Sequence, residues 1–177
     1  MNVIGIAGFS GAGKTTLVEA MIPLLKAAGQ RVSVVKHAHH SFNIDHEGKD
    51  TWRHRAAGAF EVVVASNARL ALMREFEQEA ALTVHQVIAE LYDGVDWVIV
   101  EGFKNSDLPK LEVWRASAGK PARYVDDPFI VAIATDSADQ LPMATNRAVL
   151  DLNRPQAVVD WMLANPLRFK YQAETFA

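Results

Sequence analysis

An apolar run, Val3 to Ala7, leads directly into "GFSGAGKTT", residues 8 to 16. Gly8, Gly13, Lys14 and Thr15 satisfy G-x-x-x-x-G-K-[ST], and that match confines how the chain begins. A short buried strand ends at the first glycine, and an amphipathic helix starts near the last. Glycines let successive backbone N–H groups turn inward toward anionic oxygens. The helix start adds unsatisfied donors and a positive dipole end. A nucleoside triphosphate is the ligand such a cradle suits. Lys14 would bridge the outer phosphates, the Thr15 hydroxyl would ligate Mg²⁺, and Thr16 lies within reach of the innermost phosphate.

The flanking pattern agrees with that beginning. Leu17, Ala20, Met21, Leu24, Leu25 and Ala28 recur at offsets of three and four, which predicts a helix from about Gly13 to Ala28 capped by Gly29. Pro23 cannot donate to the carbonyl of Glu19, so a kink is expected there. Strands are expected at Arg31–Val35, Asp96–Val100, Leu111–Trp114, Phe129–Ala134 and Arg147–Leu150, and a hairpin at Glu61–Ala65 and Ala68–Met73 around Ser66-Asn67. Helical patterns cover Lys49–Ala57, Leu82–Leu91 and Gln156–Leu163. Strands alternating with helices imply an α/β fold of the three-layer P-loop NTPase type, a mostly parallel twisted sheet with helices on both faces. No repeat or linker-like stretch divides the 177 residues, so a single nucleotide-binding domain over 1–177 is expected.

Composition excludes several classes. There is no cysteine, which removes disulfides, iron–sulfur ligation and thiol catalysis. A net charge of −3 gives no support to nucleic-acid binding. The apolar start lacks a basic n-region, and no apolar run approaches the ~20 residues of a membrane helix. A cytoplasmic protein without membrane or nucleic-acid partners is expected.

A P-loop needs a carboxylate at the end of a neighbouring strand. "DWVIVEGF" supplies Glu101 after four apolar residues, with Gly102 permitting a sharp turn. Glu101 would hold a metal-bound water or orient the attacking one; the alternative is a structural pair with a lysine such as Lys104. Asp96, at the strand's other end, lies too far away. In "KHAHHSFNIDHEGKD", His37, His39 and His40 have the density of a zinc or nickel site, set against polar loop residues binding phosphate, ribose or a partner subunit. Asp45 either ligates Mg²⁺, directly or through water, or caps the following turn. Lys49, Arg53 and Arg55 form a small basic group, either a solvated face or a contact to a second ligand or acidic partner. The guanine-selecting pattern N-K-x-D is absent. Asp136, after "VAIAT", stands where a carboxylate accepts from guanine; Thr135 and Asn146 are further base-edge candidates, and ordinary turn chemistry is the alternative.

"GFSGAGKTTLVEAMIPLL", "VVKHAHHSFNIDHEGKDTWRHRAAGA", "VIVEGFK" and "AIATD" together resemble the MobB family, the molybdopterin-guanine dinucleotide biosynthesis adaptor proteins. The likeness extends to about Asp151, and the histidine loop followed by "GKD" and "RxAGA" is more specific than the P-loop. The resemblance implies a GTP-binding protein with weak hydrolysis, usually a homodimer. It also implies assistance to a MobA-like guanylyltransferase attaching GMP to molybdopterin, itself a candidate contact. On that analogy Gly11, Ala12, Gly13, Lys14, Thr15 and Thr16 cradle GTP-Mg²⁺, and base selection rests on Asp136. Two other readings use the same residues. A small-molecule kinase would need a lid, for which Lys120-Pro121-Ala122-Arg123 is the candidate; a metal-delivery GTPase would use the histidine loop.

Overall fold

A computed structural model of the chain describes residues 1–38, 42 and 44–172. In chain order its strands and helices are β1 (Asn2–Ala7), α1 (Lys14–Ala27), β2 (Val32–Lys36), α2 (Asp50–Ala56), β3 (Glu61–Ala65), β4 (Leu70–Arg74), α3 (Val84–Ala89), β5 (Trp97–Glu101), β6 (Lys110–Trp114), β7 (Ile130–Thr135), β8 (Ala148–Asp151) and α4 (Pro155–Ala164). They fall into two units, Met1–His37 with Thr83–Ala177, and Ala38–Leu82.

The larger unit is built on six strands in the order β2-β5-β1-β6-β7-β8, all paired in parallel. Parallel strands are buried on both faces, which is why β1, β5 and β7 are near-continuous apolar runs. One face is covered by α1 and α4: Leu17, Met21 and Leu25 with Val158 and Met162 pack onto Ile4, Ile6 and Ile99. At its C-terminus α1 closes in a Schellman motif, with Gly29 at φ 77° and the Gly29 and Gln30 N–H groups bonded to the Lys26 and Leu25 carbonyls. The helix runs on through Pro23.

The opposite face has two coverings. Over β5 and β1, Val84 and Ile88 of α3 pack on Val3, Val98 and Val100, the helix being opened by a Thr83–Gln86 capping box. Over β6 and β7 a loop with a short 3-10 turn, Arg123–Val125, replaces a helix, and buried charge ties it down. Glu112, 0% exposed, accepts from the N–H groups of Arg123 (2.7 Å) and Tyr124 (2.8 Å). Lys110, 2% exposed, pairs with Asp127 at 2.7 Å and donates to the Ser106 carbonyl at 2.7 Å. Both side chains are therefore paired, as groups buried out of water must be.

In the smaller unit α2 precedes the antiparallel hairpin β3–β4, paired from Glu61↔Arg74 to Ala65↔Leu70 with a turn closed by Ser66 N–H to the Arg69 carbonyl (2.8 Å). Val63, Leu70 and Leu72 on one face of the hairpin are 54%, 68% and 45% exposed.

Candidate functional site

The carboxyl ends of β1, β2, β5, β6 and β7 converge where such sheets bind ligands. The loop after β1 has its glycines at φ 135° (Gly8), 81° (Gly11) and 98° (Gly13), values that side-chain-bearing residues rarely adopt. A Cβ on Gly8 would sit 2.4 Å from the Val113 carbonyl oxygen, so glycine lets the backbone of β6 press against the start of the loop. Gly13 is the N-cap of α1 and supplies no side-chain cap, so the first helical N–H groups lack the acceptor a capping side chain would provide. Lys14 folds back across the loop, its ammonium donating to the Phe9 carbonyl at 2.8 Å. Desolvation holds the Lys14 pKa below the usual lysine value, with Lys36 pushing the same way and Glu101 opposing.

Thr15 and Glu101 meet: the Thr15 hydroxyl donates to Glu101 Oε1 at 2.8 Å. Register explains the placement, because Glu101 lies opposite Ile6 on β1 and Lys36 on β2. Glu101 is buried and forms an ion pair with Lys36. Burial alone would raise its pKa, but the hydrogen bonds from Lys36 and Thr15 and the charges of Lys36 and Lys14 outweigh it and hold the carboxyl below its ordinary value. The structure thus brings Lys14, Thr15 and Glu101 together and adds Lys36, which the sequence reading left out. The structural lysine partner expected for Glu101 is Lys36 rather than Lys104, whose carbonyl is instead used by Lys110 and Arg123. The turn after Glu101 is sharp, with Gly102 at φ 102° and Phe103 at φ 43°. Thr16 follows in the first turn of α1 and is exposed.

A second cluster lies past β6 and β7. Trp114 pairs with Thr135, so the next residues on each strand, Arg115 and Asp136, are neighbours. Arg115 Nε donates to the Ala12 carbonyl at 3.1 Å, and another guanidinium nitrogen is bonded to Asp136. The other Asp136 oxygen accepts from the Ser137 hydroxyl at 2.8 Å. Thr135 is buried and its hydroxyl accepts from the Ser137 N–H at 3.0 Å, which shapes the turn. Asn146 is exposed ahead of β8.

Asp45 belongs to the smaller unit. It accepts from the Thr51 hydroxyl (2.8 Å) and the His46 N–H (2.9 Å), and lies 3.5 Å from Arg55. Burial would raise its pKa, yet these hydrogen bonds and the Arg55 charge leave it lowered. Arg55 also pairs with Glu75 at 2.6 Å, while Arg53 of the same basic group lies 3.9 Å from Asp50 on the exposed side of α2. His37 packs on Phe103 with ring centroids 4.5 Å apart. His39 and His40 lie outside the described residues. Among the described residues no three His, Cys, Asp or Glu side chains form a group able to hold a metal ion.

Comparison with known proteins agrees with this architecture. The family model "MobB: Molybdopterin guanine dinucleotide synthesis protein B" matches residues 3–136. The chain is 40% identical over 162 residues to a molybdopterin-guanine dinucleotide biosynthesis adapter protein of Haemophilus influenzae, covering 90% of this chain and 86% of the relative. It is 38% identical over 167 residues to the Escherichia coli adapter protein, covering 90% and 93%. In fold it is similar to the crystal structure of Bacillus subtilis MobB, with a TM-score of 0.71 at 22% identity over 97% of this chain and 100% of that one.

Proposed function

The chain belongs to the MobB family and serves as an adapter in molybdopterin-guanine dinucleotide biosynthesis; from that premise we propose that it does so by binding GTP with Mg²⁺. The supporting observation is the Lys14–Thr15–Glu101 cluster at the mouth of a loop whose glycines adopt left-handed backbone angles. The donor set fits the group. Backbone N–H groups and Lys14 would meet phosphate oxygens, and the Thr15 hydroxyl with the Glu101 carboxylate would offer oxygen ligands of the kind magnesium takes. Magnesium, when bound, would neutralise charge between the outer phosphates.

Each residue has a task in this reading. Lys14 would exchange the Phe9 carbonyl for phosphate. Thr16 would contact the innermost phosphate. Glu101, held anionic, would orient water, with Lys36 keeping its charge balanced. Asp136 would accept from the guanine edge. Nothing in this set supplies a strong base or a mobile lid, and slow hydrolysis follows, so the nucleotide state acts through a partner, a MobA-like guanylyltransferase handling GMP and molybdopterin.

The homodimer proposed for the chain has support in the hairpin, whose face carrying Val63, Leu70 and Leu72 is apolar and exposed. Equilibrium binding of GTP and ATP with Mg²⁺ tests the nucleotide reading. GTP is expected to bind more tightly, and Lys14→Ala to weaken it by at least about tenfold through loss of a charge-assisted contact. Unaltered GTP affinity in that variant, or rapid ATP consumption that depends on a small metabolite, would overturn the reading.

A further inference from the structure

We propose that Arg115 is a positioning residue for base selection, fixing the distance between the phosphate loop and the carboxylate of Asp136. The inference rests on the GTP-binding reading and deepens it. Its basis is one side chain bonded to both places a nucleotide must touch at once. Arg115 Nε donates to the Ala12 carbonyl, inside the P-loop, while the far side of the same guanidinium holds Asp136. The guanidinium also lies over Gly13, from whose Cβ position it would be 3.6 Å away. A planar fork with fixed donor directions sets spacing in a way that a flexible ammonium does not.

The scaffold around Arg115 is rigid. Parallel register at Trp114↔Thr135 sets Arg115 and Asp136 side by side, and β6 is locked to the loop by the close approach of Val113 to Gly8. Asp136 is gripped from the other side by the Ser137 hydroxyl, and Ser137 is itself fixed through its N–H on the buried Thr135. The carboxylate therefore has one defined orientation relative to Ala12. Each oxygen accepts one hydrogen bond in this arrangement and retains acceptor capacity for a second. Two neighbouring N–H donors on a base edge, as guanine presents and adenine does not, are the chemistry that such a carboxylate selects. The chain lacks an N-K-x-D element, and Arg115, reaching in from the adjacent strand, supplies a link between base-reading loop and phosphate loop.

Calorimetric titration of the full chain with GTP, ATP and inorganic tripolyphosphate, each with Mg²⁺, tests this. The variants are Arg115→Met, which keeps the stem, Arg115→Lys, which keeps the charge, Asp136→Asn, and the double variant Arg115→Met/Asp136→Asn. Arg115→Met is expected to lower GTP affinity roughly tenfold to a hundredfold, the range of one hydrogen bond to a charged group. The loss is larger for GTP than for ATP or tripolyphosphate, and Arg115→Lys restores only part of it. The GTP-over-ATP ratio of the double variant is expected to match that of Asp136→Asn alone, since both changes break one device. A ratio lost in Asp136→Asn but intact in Arg115→Met overturns the tether while sparing base reading by Asp136. A ratio intact in both overturns the two together, and absence of GTP binding by the unaltered chain overturns the nucleotide reading beneath them.

Discussion

A carboxylate with 4% of its surface exposed persists as an anion only when neighbours replace the water it has lost. Glu101 has three: the Thr15 hydroxyl, the Lys36 ammonium and, through space, Lys14. Its folded pKa lies below the ordinary 4.5, so its contribution to stability is present above about that pH and is lost as pH falls through the folded value. Glu101→Gln is expected to cost about 1–3 kcal/mol near neutrality by breaking charged hydrogen bonds. Urea unfolding should show the gap between variant and parent closing below about pH 4.5; an equal gap at about pH 3 would contradict the assignment. Glu101 was legible from its place after an apolar strand. Lys36 and Arg115 were not, because each matters through a neighbour on an adjacent parallel strand, and strand order is not written in a single strand. Asp136 was legible as a strand-end carboxylate, yet its engagement by Arg115 depends on the same unseen register.

Among the elements, β6 shows why alternation misleads. "KLEVW" alternates polar and apolar residues, the pattern of a half-solvated strand, yet all five residues are buried. Lys110 and Glu112 face a covering loop whose N–H and carboxylate groups they satisfy, and only tertiary structure provides that loop. Every strand expected from sequence, β6 included, forms within two residues of its expected start, because runs of strand-forming residues bounded by turns carry their own signal. The hairpin was equally plain, but not its partnership, since its strands pair only with each other in the described residues. If Val63, Leu70 and Leu72 meet a second copy, Leu72→Lys buries a charge in place of a side chain whose burial is worth about 1.5–3 kcal/mol. Light scattering after size exclusion is then expected to show the dimer dissociating at protein concentrations at least about tenfold higher than for the parent. An unchanged elution and mass would remove the hairpin from the interface.

At the scale of the molecule, the sheet-bearing unit presents the phosphate loop and the smaller unit presents Asp45 and the hairpin. No helix of the described residues is long and apolar enough to cross a membrane. Buried Glu112 differs from Glu101 in sign: desolvation dominates there and its carboxyl is raised above 4.5, despite the Arg123 and Tyr124 N–H groups. The folded chain therefore takes up that proton before the unfolded chain does, and gains stability as the medium is acidified toward about pH 4.5. Beyond that point the lowered groups, Glu101 and Asp45, begin to draw the balance the other way. Mild acidification should thus make the protein firmer before stronger acid undoes it, a crest in the unfolding midpoint that Glu112→Gln would erase on its alkaline slope alone. Two glutamates on strands either side of β1 would then act as opposed weights on a single acid–base scale.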